Sequence, residues 1–198
     1  MKMQTIDTRK VVFASALIAL ASGLEIFKSL AGFTLLAGFE PVTFFVVLSG
    51  ILLGARYGFL CGFLTKIIFS MYLGFYPTIL IDSIAFGLMG LVSGALSGFF
   101  MGLTNKKLFI QQAVFGIYGL FMSFAFNLMS NAGWALFVCW SAKDMSQNCL
   151  YTIIGIGLVF NTRNFVWNTI IFAALMPAVL NFLKDFKNGK GGSTSKVQ

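Results

Sequence analysis

The chain contains no histidine. That removes Ser-His and Cys-His nucleophilic catalysis and the commonest metal ligand. Charge is scarce as well, at 10% of residues, against about 25% in a soluble domain. The few carboxylates are scattered, with no Asp-Asp pair for intramembrane proteolysis, and no G-x-x-x-x-G-K-S/T loop exists to cradle ATP. Cysteine is limited to Cys61, Cys139 and Cys149, which lack metal-ligand spacing. Cys61 reads as a small core residue inside a helix. Cys139 and Cys149 fall toward the outer side, and spacing alone leaves them either free or bridged. Two G-x-x-S-G stretches, Gly90–Gly94 and Gly94–Gly98, look like serine-hydrolase elbows, but without a base they read as packing. No enzyme, resident cofactor or metal site is expected.

What is abundant is apolar surface. Hydrophobic residues make up 58% of the 198, more than a soluble fold of this size can hide. Residues 83–105, 108–142 and 164–183 carry no charge. Each stretch reaches the roughly 20 residues that cross about 30 Å of hydrocarbon as a helix. A closed barrel needs alternating apolar and polar residues; runs such as Phe44-Phe45-Val46-Val47-Leu48 do not alternate. The fold class expected is therefore all-α, a helical bundle integral to a membrane.

The reading gives six spans, at about 11–31, 41–54, 57–73, 77–103, 108–138 and 165–183. Pro41 suits the first turn of the second. The fifth is too long for one straight span and is expected to bend or protrude near Asn127–Asn131. Residues 145–161 read as a re-entrant or capping segment. The first apolar segment reads as a span rather than a cleaved signal. With six spans, ten of the fourteen Lys and Arg share one side with both termini: Lys2, Arg9, Lys10, Arg56, Lys106, Lys107, Lys184, Lys187, Lys190 and Lys196. The positive-inside rule makes that side cytoplasmic. The organisation is then a cytoplasmic segment 1–10, a membrane domain 11–183 and a basic, disordered cytoplasmic tail 184–198. The net charge of +8 fits this topology and anionic lipid. Basic residues split among four short segments do not suit nucleic acid.

Small residues recur at helical spacing. Gly50, Gly54, Gly58 and Gly62 form one ladder; Gly90, Gly94, Gly98 and Gly102, joined by Ser93 and Ser97, form another; Ser15, Ala19 and Gly23 form a stripe on the first span. Each serves either close packing inside the bundle or docking of a partner.

Polar residues at membrane depth need a reason. Lys66 and Asp82 are expected to pair across adjacent helices, with direct ligand contact by Asp82 as the alternative. Glu25 and Lys28, one turn apart, are expected to pair with each other or meet outer water, and Glu40 to sit in a loop at the outer rim. Asn127 and Asn131 are four apart; Asn161, Asn164 and Asn168 share a face of the last span, with Arg163 and Trp167 beside them. Trp134, Trp140, Tyr72 and Tyr76 also fall on the outer side, where an interfacial aromatic belt accounts for Trp140 and Tyr76. Convergent amides with aromatic walls suit a small cyclic metabolite. Arg163 meets either a ligand anion or lipid headgroups.

Several stretches resemble the substrate-binding S component of energy-coupling factor (ECF) vitamin transporters. Pro41-Val42-Thr43 followed by Val47 through Gly58 is similar to the span-two to span-three hairpin of that family. Tyr76-Pro77-Thr78-Ile79 with Ala85 through Leu91 resembles its fourth helix, and Phe160-Asn161 through Asn168 with Pro177 its last. The resemblance implies a cell-membrane subunit that captures a vitamin from outside. Its partners would be a membrane T component and two ABC-type ATPases. On this reading Asp82, Tyr72, Asn127, Asn131, Trp134, Arg163, Asn164, Trp167 and Asn168 bind substrate. The family docks on its T component through an A-x-x-x-A motif on the first helix; the matching stripe here is Ser15, Ala19 and Gly23, small but not strictly alanine. The missing N-terminal histidine argues against the nickel and cobalt branch. The competing reading is a membrane scaffold whose polar residues only hold the bundle together.

Overall fold

The computed structural model describes residues 8–30 and 40–187, with side chains through Lys184. The expected first-span end at Ala31, most of the N-terminal segment and the tail beyond 187 lie outside these residues. All regular structure described is helical: α1 (Thr8–Leu30), α2 (Pro41–Leu53), α3 (Ala55–Leu73), α4 (Ile79–Ala95), α5 (Ser97–Leu103), α6 (Leu108–Ser141), α7 (Gln147–Phe160) and α8 (Thr162–Lys187). Three of them, α1, α6 and α8, are individually long and apolar enough to cross a membrane. A fourth crossing follows if α4 and α5, bent by 60° at Leu96, count as one broken span.

The short α2 is the axis of the bundle. All but one of its first eleven residues are buried, and it packs on α1, α3, α4, α5, α6 and α8. A helix surrounded by protein needs no polar face, so its run of Val, Phe, Leu and Ile carries no amphipathic signal. Pro41 opens it without wasting a backbone donor. Gly54, at φ 94°, is the single residue between α2 and α3, a conformation that side-chain-bearing residues avoid.

The glycine ladders resolve as internal packing at α2, α3 and α4. A Cβ placed on Gly50 or Gly58 would strike the backbone of Gly90, one on Gly62 the backbone of Phe86, and one on Gly94 the backbone of Ala55. Gly98 and Gly102 face open space, because the bend at Leu96 turns α5 off the seam. The apolar core continues beside this seam through Phe100, Phe115, Phe172, Met176 and Leu180, all at or near zero exposure.

The last three helices form the tallest part of the molecule. At 1.5 Å per residue, the 34-residue α6 is about 51 Å long, well beyond the hydrocarbon layer. α7 and α8 descend in succession along it. Cys149 bridges Cys139, Gly157 abuts Asn131, the start of α8 meets Ser123, Phe172 abuts Gly119, and Lys184 reaches Asn105. At Asn127–Asn131, the site of the expected bend or protrusion, α6 runs through as one unbroken helix, and its C-terminal third extends past the start of α8 with α7 as its partner. α7 has no buried residue. Ser146 caps it by accepting from the Cys149 amide at 3.2 Å.

Candidate functional site

The conspicuous feature of the interior is a chain of buried polar groups running across four helices and the residue ahead of α2. It begins on α1. Ala14, Leu17, Ala21 and Glu25 occupy one helical face and are all buried. Glu25 therefore points into the bundle rather than toward water. Its Oε1 accepts from the Lys66 ammonium of α3 at 2.7 Å. The same ammonium reaches Oε1 of Glu40, just ahead of α2, at 3.4 Å. Glu40 is buried, not a rim residue, and its Oε2 accepts from Asn164 Nδ2 of α8 at 2.7 Å. Asn164 Oδ1 accepts from Ser123 of α6 at 2.7 Å and from Asn168 Nδ2 at 2.5 Å. Asn168 also donates to Ser123 Oγ at 3.1 Å.

Aromatic rings enclose the cation. The Lys66 ammonium lies 4.5 Å from the Phe86 ring centroid, 5.4 Å from Phe69 and 5.6 Å from Phe126, within the range where a ring face attracts a cation. Phe86 and Phe126 themselves pack at 4.3 Å. Glu40 accepts from both the Lys66 ammonium and the Asn164 amide, an arrangement that suits its carboxylate form.

Asp82 is not the partner of Lys66. It sits one turn from Phe86 on α4, buried, with Oδ2 receiving a long 3.4 Å hydrogen bond from Thr78. Lys66 has two nearer carboxylates, because α1 and the start of α2 approach α3, a packing that no local pattern discloses. Between the two groups stands Tyr76, whose hydroxyl accepts from Ser70 at 3.4 Å; it belongs to this polar layer rather than to an interfacial belt.

Of the expected substrate-binding residues, Asn127, Asn164, Asn168 and Asp82 are buried in or beside the cluster. Asn127 spends its Nδ2 on the Ser123 carbonyl at 2.8 Å. Asn131 lies at the edge, with its side chain against Gly157. Trp167 is half-buried and packs against the apolar core instead. Tyr72, Trp134 and Arg163 are exposed and stand outside the cluster, Tyr72 at 45% and Trp134 at 46%. Asn161 is not on α8 at all; its Nδ2 donates to the Gly157 carbonyl at 2.9 Å and closes α7. Glu25, Glu40 and Ser123 were not expected as members. The signal for Glu25 was present in its spacing with Ala14, Leu17 and Ala21.

Several buried polar atoms have no partner among the described residues: Glu25 Oε2, Asp82 Oδ1, Asn168 Oδ1 and Asn131 Nδ2, with the hydroxyls of Ser22, Thr43 and Thr65. Orphans of this kind are costly, about 1–3 kcal/mol each, unless something fills them. No group of three metal-ligating side chains is found among the described residues.

Two grooves of about 440 Å³ lie elsewhere. One is lined by Leu96, Phe99, Phe100, Val114, Ile117, Tyr118 and Phe121 beside the α4–α5 bend; the other, by Leu52, Met101, Thr104, Asn105, Leu180, Leu183 and Lys184, is at the far end of α8. The stripe Ser15, Ala19 and Gly23 is exposed along its length, and a Cβ on Gly23 would meet nothing within 4 Å. Compared with protein-family models, curated proteins and solved structures, the chain matches none.

Proposed function

We propose that this protein is the substrate-binding S component of an ECF-type importer, a six-span subunit of a prokaryotic cell membrane with both chain ends in the cytoplasm. It captures a vitamin or related micronutrient from outside. Energy comes from two ABC-type ATPases through a membrane T component. In this reading α1, α2, α3, the broken pair α4–α5, α6 and α8 are the six crossings, and α7 is an outer strap on α6.

The observation that carries the proposal is the buried polar cluster with its unfilled hydrogen-bonding atoms, drawn from α1, α3, α4, α6 and α8. A cluster serving only to hold helices together has no use for orphan carboxylate and amide oxygens. The disulfide supports the direction of capture. Cys139 and Cys149 are joined at the C-terminal end of α6, the end opposite Lys106 and Lys107, and such bonds persist on the oxidising side of a membrane. The basic residues Lys106, Lys107 and Lys184 gather at the opposite end, as the positive-inside rule requires of a cytoplasmic face. The exposed small-residue stripe on α1 supplies a surface where another helix can approach closely, and it matches the family's docking position.

The test uses the purified full-length protein. Mass spectrometry of small molecules released on denaturation identifies a co-purifying ligand, and thermal unfolding in its presence measures binding. The expected result is stabilisation by one micronutrient that disappears in Asn164→Ala with Asn168→Ala, while the variant still elutes as a folded species. Undiminished ligand stabilisation in that double variant overturns the site. No stabilisation by any micronutrient, with the cluster variants altering only the melting temperature, favours the scaffold reading.

A further inference from the structure

We infer that the ligand of this site is a cation, a protonated amine or a positively charged heterocycle that brings hydrogen-bond donors. The inference rests on the reading of the polar cluster as a ligand site.

It follows from an inventory of the groups that face the cluster. α1 contributes Glu25, with Lys28 half-buried one turn on; the residue ahead of α2 is Glu40; α3 contributes Lys66; the α3–α4 turn contributes the neutral Tyr76; α4 contributes Asp82. α6 and α8 add only the neutral Ser123, Asn127, Asn164 and Asn168. Arg163, next to Asn164 in sequence, is exposed. Three carboxylates therefore face two ammonium groups, Lys66 and the half-buried Lys28. The excess is negative, and a buried excess of charge calls for a counter-charge.

The orphan atoms independently point to the same chemistry. Glu25 Oε2, Asp82 Oδ1 and Asn168 Oδ1 are acceptors only, on residues exposed by 2%, 8% and 0%; the one orphan that can only donate is Asn131 Nδ2. A ligand that satisfies the set must mostly donate. An anion such as a carboxylate or phosphate would add acceptors to acceptors and negative charge to negative charge. The walls agree, because Phe86, Phe69 and Phe126 already hold one ammonium over their faces, and cations are what aromatic faces attract.

The experiment uses six probes on the purified full-length protein, read by thermal shift and calorimetry: thiamine and pyridoxamine as cations, riboflavin and pyridoxine as uncharged rings, biotin and pantothenate as anions. The expected result is stabilisation by a cationic probe. Asp82→Asn should weaken its Kd roughly tenfold or more, as loss of a charge-assisted hydrogen bond does. That variant keeps the shape of the side chain, and its own melting temperature without probe reports whether it folds. Glu25→Gln provides a second variant from another helix with the same expectation. Binding of an uncharged or anionic probe that is lost in Asn164→Ala overturns the cation inference and leaves the site reading intact. Cation binding unaffected by both Asp82→Asn and Glu25→Gln overturns the inference, since the charge would then lie elsewhere. Binding of no cationic probe also overturns it, and the released-ligand measurement then decides the site reading separately.

Discussion

The seam between α3 and α4 and the seam between α6 and α8 solve one problem by opposite means. Lipid offers no hydrophobic drive for helices to associate, so contact must come from close packing or from polar groups. The α3–α4 seam uses packing: Gly58 and Gly90 bring backbone onto backbone, and Gly62 rides on Phe86. The α6–α8 seam has one such approach, at Gly119 over Phe172 and Asn168, and then turns to side-chain hydrogen bonds among Ser123, Asn164 and Asn168. A backbone contact has one geometry and nothing left over. A polar contact has spare valences, and in this molecule the spare valences lie where the second seam meets Glu40, Lys66 and Glu25. Backbone packing and side-chain hydrogen bonding are thus divided between two helix pairs that share α2 as a common support.

The sharpest way to break the comparison is to remove the one charge on which both halves lean. Lys66 belongs to α3, yet its ammonium binds Glu25 and Glu40 and, through Glu40, the amides of α8. Lys66→Met leaves two buried carboxylates facing each other with only the half-buried Lys28 nearby. Removing one partner of a buried ion pair typically costs about 3–5 kcal/mol. The expected outcome is a loss of that order in detergent unfolding, with much of it regained in the triple variant Lys66→Met, Glu25→Gln, Glu40→Gln, where no uncompensated charge remains. Equal instability in the single and triple variants would mean that Lys66 acts by its bulk, and the polar half would then be held like the other.

Next in size is Gly90→Leu. Any Cβ there meets the Gly58 backbone, which cannot turn aside as a side chain does. Overpacking usually costs about 1–3 kcal/mol; against backbone the upper end or beyond is expected, read as a fall in melting temperature in the same detergent. Gly98→Leu, with nothing within 4 Å, is the matched control and should change stability by less than about 0.5 kcal/mol. The pair separates the two halves of a ladder that are indistinguishable by spacing.

That ladder also marks what the sequence could disclose. Helix positions were legible, because charge-free stretches and Gly and Pro punctuation are local signals, and α1, α2, α3, α6 and α8 fall within a few residues of expectation. The break at Leu96 was not, since no Pro marks it and Ser97-Gly98 reads equally well as part of the small-residue ladder. The asparagines of α8 were legible as a set because a helix repeat of three and four is also local. The partner of Lys66 was not. Asp82 was nearest along the chain among plausible choices, whereas Glu25 and Glu40 are 41 and 26 residues away, and only the packing of α1 against α3 brings them in. Tyr72, Trp134 and Arg163 had suitable residue types but are exposed, a matter of helix rotation that composition does not fix.

The smallest effect on stability is expected at the α1 stripe, and it distinguishes small residues that pack from small residues that wait. Ser15, Ala19 and Gly23 share the spacing of the Gly90 ladder, but they are exposed while Ala14, Leu17, Ala21 and Glu25 carry the contacts of α1. Ala19→Trp should therefore leave the melting temperature of the isolated subunit within the range of ordinary surface changes, about 0.5 kcal/mol. It should leave ligand stabilisation unchanged as well, because the cluster begins more than a turn away at Glu25. If α1 approaches a T component along this stripe, the indole would hold the two helices apart, and uptake by the assembled importer should fall while binding by the subunit persists. A drop in subunit stability above about 1 kcal/mol would instead put the stripe in the same class as Gly58 and Gly90, buried against a neighbour within its own chain.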